Sequence, residues 1–168
     1  KDQYFPRTRW FLDYGPNRIK TPLQPDTIMI YSNKVYVLDS KLYRYGYSGN
    51  PDHLPNGPDI NKQITYGEYI ERAKGVPSEN LYNAFIMPFN REDNTFFEIG
   101  PDGDPIPCIT ENIGNVGEAV GDWKPNPKNY ERVQGIVMDT RFLMYNYIGM
   151  PDQQKRLLAG TIEKVKSR

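Results

Sequence analysis

The sequence predicts a mixed central β-sheet flanked by helices, of α/β or α+β class. Three observations carry that reading. Strand-like and helix-like segments interleave along the chain. Two adjacent runs of β-branched and aromatic residues read as a hairpin. A near-continuous apolar run, Val133 to Asp139, has the pattern of a strand buried on both faces.

Taken in order, Trp10 to Tyr14 is a short aromatic stretch closed by Gly15-Pro16-Asn17, a first strand or a strand end. The hairpin joins Thr27–Tyr31 to Lys34–Tyr43 through the compact turn Ser32-Asn33. Tyr45 to Pro58, rich in Gly, Pro and Asn, reads as a loop. Asp59 or Asn61 can cap a helix that runs to about Ala73 and ends near Gly75, with Pro77 beyond. Leu81 to Phe89 is a strand, and Phe96 to Ile99 is a candidate for another. Residues 100–130 hold much Gly, Pro and Asn with few large aliphatics and read as mostly irregular. Asp152 to Val165 is an amphipathic helix expected to turn Leu157, Leu158, Ile162 and Val165 inward.

A chain of 168 residues, 38% hydrophobic and 25% charged, can bury one core, so residues 1–168 are expected to form a single domain. It opens at Lys1 rather than at a methionine, and the expectation is a fragment lacking an N-terminal region. No apolar run approaches the roughly 18 residues of a membrane-spanning helix, and the start lacks a signal-peptide plan. A soluble, cytoplasmic protein without a membrane partner is expected. Cys108 is the only cysteine and His53 the only histidine, which excludes an internal disulfide and a Cys/His zinc cluster.

Lys plus Arg number 21 and Asp plus Glu number 21, so the chain is no uniformly basic nucleic-acid coat. The charge is unevenly spread. Residues 85–122 hold eight acidic residues and one basic residue, Arg91, whereas both ends are basic. A shared basic face could meet phosphates; solvated surface charge explains the same counts equally well.

Chemistry is concentrated at the hairpin. Side chains alternate along a strand, so Asp39 and Lys41 project from one face and Ser40 from the other. A turn at Ser32-Asn33 brings Asp26 back beside Asp39. Two convergent carboxylates repel unless a proton or cation intervenes, and Mg²⁺ is the usual cation for an oxygen-rich, incomplete cage. The metal could polarise a phosphodiester oxygen while Lys41 orients water or stabilises charge on phosphorus.

Pro25-Asp26, twelve intervening residues and Asp39-Ser40-Lys41 look like the PD-(D/E)xK nuclease signature. Alone it is a weak pattern, since Pro-Asp occurs five times and Asp122-Trp123-Lys124 follows Asp102 as a second instance. That second instance fails a physical test, because Gly-rich sequence before it and Pro125 after it leave no strand to align the side chains.

A longer likeness is more specific. Leu23-Gln24-Pro25-Asp26, Val37-Leu38-Asp39-Ser40-Lys41-Leu42-Tyr43, Leu54-Pro55 and Asp59-Ile60-Asn61-Lys62-Gln63-Ile64-Thr65-Tyr66-Gly67-Glu68-Tyr69 resemble the LlaJI family of restriction endonucleases and its McrC-like relatives. The likeness continues through Leu81 to Asn90 and Gly135 to Arg141, covering most of residues 20–145. It implies an α/β, restriction-endonuclease-like PD-(D/E)xK core and a Mg²⁺-dependent enzyme, with Mn²⁺ a possible substitute, that cuts double-stranded DNA. It also implies an AAA+ GTPase partner. By the match, Asp26 and Asp39 are metal ligands, the Ser40 main-chain carbonyl adds a third, and Lys41 is the catalytic lysine. Gln63 suits the amide that relatives carry on the following helix, but its spacing to Tyr66 leaves open whether Gln63 or Lys62 faces the metal. Such folds also place an acid on a helix before the first strand, and only Asp2 and Asp13 precede Asp26 here.

Each residue has a plainer reading. Asp39 and Lys41 could be a surface ion pair, Asp26 ordinary turn chemistry, Gln63 a polar helix residue and Tyr66 helix packing. His53 is expected in solvent, Cys108 buried or half-buried, and Asp139 a cap or a partner of Arg141. Tyr43-Arg44-Tyr45 could stack on bases. Two functions follow: a catalytic nuclease domain, or a nuclease-like docking or regulatory subunit for the motor with little activity of its own. Neutral net charge predicts weak, salt-sensitive DNA binding, and cutting two strands calls for a homodimer or paired complex.

Overall fold

Ser32 and Asn33 adopt left-handed backbone, φ 49° and 60°, the pair of conformations a two-residue hairpin turn requires. They join strands β3 and β4 in a computed structural model that describes residues 4–7, 9–14, 18–19, 22–146 and 151–164. In chain order the elements are β1 (Arg9–Trp10), β2 (Arg18–Ile19), β3 (Thr27–Tyr31), β4 (Lys34–Ser40), α1 (Tyr45–Ser48), α2 (Gly57–Lys74), β5 (Leu81–Phe89), β6 (Phe97–Ile99), β7 (Pro105–Pro107), β8 (Ile113–Ala119), β9 (Val133–Asp139), α3 (Thr140–Asn146) and α4 (Pro151–Glu163). Short 3₁₀ turns occupy Pro51–His53, Ser78–Asn80 and Asn129–Glu131.

The main sheet has the order β3-β4-β5-β9-β8. Its interior pairs, β4 with β5 and β5 with β9, are parallel, and its outer pairs are antiparallel. The fold is thus a mixed α/β sheet flanked by helices. Alternation along β4 sends Tyr36 and Leu38 to one face, where Met29, Ala84, Ile136 and Ile162 of α4 complete a core. Val35 and Val37 face the other way, against Ile64, Tyr66 and Ile70 of α2 and Phe85 of β5. Asp39 continues that second row, so the strand's own periodicity delivers a carboxylate under α2.

Buried polar contacts hold α2 on the sheet. Asn83, fully buried on β5, donates through Nδ2 to the carbonyls of Gln63 and Tyr130, both at 2.7 Å. Gly67 lets the helix close on the Tyr130 ring, since a Cβ there would lie 2.3 Å from it. Among the described residues no helix is long and apolar enough to cross a membrane.

Several expectations need correction. The first strand is only Arg9–Trp10; residues 15–17 lie outside the described residues. β4 ends at Ser40, where its parallel pairing with β5 stops at Ser40↔Ile86, although the Lys41 amide still donates to the Ile86 carbonyl at 2.9 Å. The stretch Tyr45–Pro58 holds α1 and a 3₁₀ turn, and Asn56 rather than Asp59 or Asn61 caps α2, its Oδ1 accepting the Asp59 amide at 3.3 Å. Residues 100–130 contain β7 and a full edge strand, β8. Its glycines and asparagine hide the strand pattern, and a bulge between Asn115 and Gly117 breaks its register. In α4, Ala159 and Ile162 are buried while Leu157 is 44% exposed, because the helix turns its small residue rather than Leu157 to the sheet. Val165 lies outside the described residues.

Candidate active site

The register Thr27↔Leu38 places Asp26, one residue before β3, opposite Asp39, one residue further along β4. Asp26 Oδ2 accepts the Ser40 amide at 2.9 Å, which ties its carboxylate to the strand end. Asp39 is 1% exposed, whereas Asp26 is exposed. Burial pushes the Asp39 carboxyl above its ordinary range; the Lys41 ammonium beside it pulls against this and the Asp26 carboxylate adds to the rise. The site sits at the carboxyl end of a parallel strand, where open α/β sheets expose their crevices.

Lys41 Nζ stands 2.9 Å from Asp39 Oδ2 and 3.3 Å from Asp59 Oδ1. The contact with Asp39 is an ion pair without hydrogen-bond geometry, so Asp39 Oδ2 retains unused acceptor capacity. Asp59 also accepts the Tyr43 hydroxyl, on Oδ2 at 2.5 Å. The Asp39 carboxylate, with Asp59 behind it, holds the Lys41 ammonium well above the usual lysine range. The Tyr43 bond first, and Lys41 after it, lower the Asp59 carboxyl.

Asp59, Gln63, Tyr66 and Ile70 recur at helical spacing on one face of α2. Gln63 is fully buried and, among the described residues, neither atom of its amide has a hydrogen-bond partner. The Tyr66 hydroxyl is likewise buried without one, and burial followed by the Asp39 and Asp26 charges pushes it up to about 12. Lys62 is half-buried with Nζ 5.7 Å from the Tyr66 ring centre. Gln63 is therefore the inward residue of the two and Lys62 the outer one.

The donor set fits a hard divalent cation. Two carboxylates meet, one of them buried with spare acceptor capacity, and their mutual repulsion is what a cation relieves. Among the described residues no three His, Cys, Asp or Glu side chains converge. The described residues thus offer two acids, and Mg²⁺, which keeps several waters, tolerates such a partial cage.

Sequence reasoning missed Asp59 and Tyr43 as members of this cluster. The Asn56-Gly57-Pro58-Asp59 run carried the signal: with Asn56 as cap and Pro within the first turn, the Asp59 side chain is released from capping. Tyr43 is thereby engaged, and Tyr45 packs against Phe96 at 5.5 Å.

The other candidates lie elsewhere. Lys124 pairs with Glu131 at 2.5 Å, and Asp102 and Asp122 are exposed. His53 is half-buried, its Nδ1 2.8 Å from Ser48 Oγ, and not free in solvent as expected. Cys108 is exposed, contrary to expectation, because it follows the small β6–β7 hairpin on the surface. Asp139 accepts the Phe142 amide at the start of α3 and the Arg91 amide, both at 2.8 Å, while Arg141 pairs with Glu92. Of the acids ahead of the hairpin, Asp13 is exposed and Asp2 lies outside the described residues.

Residues 1–101 match the family model described as LlaJI restriction endonuclease. The match takes in the hairpin, α2 and β5 and stops short of β8 and β9. Among curated proteins and among solved structures, nothing matches the chain.

Proposed function

The chain belongs to the LlaJI restriction endonuclease family, and from that premise we propose that it is the Mg²⁺-dependent catalytic domain of a restriction system, hydrolysing phosphodiester bonds of double-stranded DNA on a PD-(D/E)xK core. The observation that carries the proposal is the meeting of Asp26, Asp39 and Lys41 at one strand end.

In this reading Asp26, Asp39 and the Ser40 carbonyl hold the ion. The bound metal supplies Lewis-acid polarisation of the scissile phosphate and a more acidic water. Lys41, kept as an ammonium by its two carboxylate neighbours, acts through charge and hydrogen-bond donation; at neutral pH it has no free electron pair with which to take a proton. The Gln63 amide, on the same helix face as Asp59 and without a hydrogen-bond partner among the described residues, is a polar group in reserve, and orienting water or phosphate would require it to be uncovered.

The neutral net charge supports weak DNA binding by the isolated chain. Tight engagement would come from pairing of two copies, one per strand, or from an AAA+ GTPase partner. The test is supercoiled plasmid incubated with Mg²⁺ and the wild-type chain, Asp39→Ala or Lys41→Ala, with and without such a partner. Cutting by the wild type and none by the variants supports the reading. Undiminished cutting by both variants overturns it. Cutting that needs the partner and is equal for the wild type and both variants favours a docking role for the chain.

A further inference from the structure

The catalytic lysine of the proposed site is held from two sides, and the second side lies outside the hairpin motif. Asp59 reaches Lys41 Nζ through Oδ1 at 3.3 Å while its other oxygen accepts the Tyr43 hydroxyl at 2.5 Å. Its own backbone amide is bonded to Asn56 Oδ1 at the start of α2. Asp59 is therefore fixed at three points, its backbone by the helix cap and its carboxylate by a tyrosine two residues beyond Lys41 and by the ammonium itself.

We propose that Asp59, locked by Tyr43, is a positioning residue that aims the Lys41 ammonium at the reacting phosphate. This inference rests on the nuclease reading of Lys41. A lysine carries a flexible four-carbon stem and three rotatable donors, so one carboxylate leaves its ammonium free to swing. If Asp39 turns toward a cation, its hold on Lys41 weakens, and only an anchor independent of the metal keeps the ammonium near the site. Asp59 is that anchor. It comes from α2 rather than β4, and both of its oxygens are engaged by Lys41 and Tyr43. Tyr43 in turn keeps Asp59 from rotating out to solvent, since Asp59 is only partly buried. Groups that orient a functional group in this way commonly change activity by about 10–100-fold when removed.

The experiment compares wild type, Asp59→Asn, Asp59→Glu and Tyr43→Phe in plasmid cleavage with Mg²⁺. In parallel, it records ¹⁵N–¹H signals of the Lys41 ammonium in the metal-free proteins, assigned by its loss in Lys41→Ala. Asp59→Asn should lower kcat roughly 10–100-fold with KM for DNA unchanged, Asp59→Glu should recover part of the loss, and Tyr43→Phe should show a smaller fall in the same direction. The ammonium signal should broaden or vanish in Asp59→Asn through faster exchange. Wild-type kcat in Asp59→Asn, or a loss confined to KM, overturns the proposal, as does an unchanged Lys41 signal. A wild-type chain that cuts no DNA, either alone or with an AAA+ GTPase partner, refutes the nuclease reading instead, and the ammonium signal still decides whether Asp59 holds Lys41.

Discussion

The Ser40 amide donates to Asp26 Oδ2 at 2.9 Å, a contact that spans the hairpin between its two open ends. It replaces the next rung of the β3–β4 ladder with a side chain, so register itself presents Asp26 to the strand end that carries Asp39. A one-residue slip would turn Asp39, and Lys41 with it, to the opposite face of the sheet, away from α2. The site therefore depends on the Ser32-Asn33 turn, six residues away from Asp39 at its nearer side.

Asp39→Asn should abolish cleavage to below about one-hundredth of wild type, by loss of a charged group at the reacting centre. Its effect on stability should depend on pH. The folded-state pKa of Asp39 lies above the ordinary carboxylate value, so the native state holds its proton more tightly than the unfolded chain does, and wild-type stability falls as pH rises through that window. In metal-free buffer, the Tm of Asp39→Asn relative to wild type should climb from acidic to neutral pH. Thermal melts at a series of pH values check this.

Chelation should act on activity and on stability together. EDTA should stop cleavage, and excess Mg²⁺ or Mn²⁺ should restore it and raise the wild-type Tm, because a ligand that binds only the native state stabilises it by mass action. Asp26→Ala and Asp39→Ala should lose the metal-dependent rise in Tm. Calorimetric melts with and without Mg²⁺ provide the comparison.

Asn83→Ala should destabilise the fold by about 1–3 kcal/mol, since it removes two buried hydrogen bonds that join β5 to α2 and to the Tyr130 turn. Because the Gln63 carbonyl is one of those acceptors, activity should fall at temperatures well below the new Tm. Urea unfolding at 25 °C measures the first effect and plasmid cleavage the second.

Glu71 accepts from Lys128 Nζ at 2.7 and 2.8 Å and from the Tyr130 hydroxyl at 2.8 Å, and these bonds, Lys128 foremost, lower its carboxyl. A lowered folded pKa gives stability that is present above the ordinary glutamate range and lost as pH falls through the folded value. Glu71→Gln should cost about 1 kcal/mol at neutral pH, a modest figure because Lys128 is half exposed. The difference from wild type should shrink as pH drops below the ordinary glutamate range, in paired denaturation curves at pH 7 and pH 3.

The hairpin, α2, β5 and β9 were legible because each carries its own signal: β-branched alternation with an Asn-containing turn, a helix stopped at a glycine with φ 67°, and two long apolar runs. β8 was not legible, since Gly114, Asn115 and Gly117 belong to a strand only because β9 lies beside them. Gly114 also admits Ile109, whose side chain would stand 2.7 Å from any Cβ there. Within the site, strand periodicity pointed to Asp26, Asp39 and Lys41. Asp59 and Tyr43 enter from a separate helix and from past the strand end, where no sequence period relates them to Lys41. The inward turn of Gln63 rather than Lys62 was settled by the packing of α2, which spacing alone left open.

Crystals of the wild-type chain soaked in Mn²⁺ and measured at the manganese edge test the central claim most directly. The account predicts an anomalous peak between the carboxylates of Asp26 and Asp39 and beside the Ser40 carbonyl, absent from Asp39→Ala crystals. A peak elsewhere, or none between those carboxylates at saturating Mn²⁺, would contradict it.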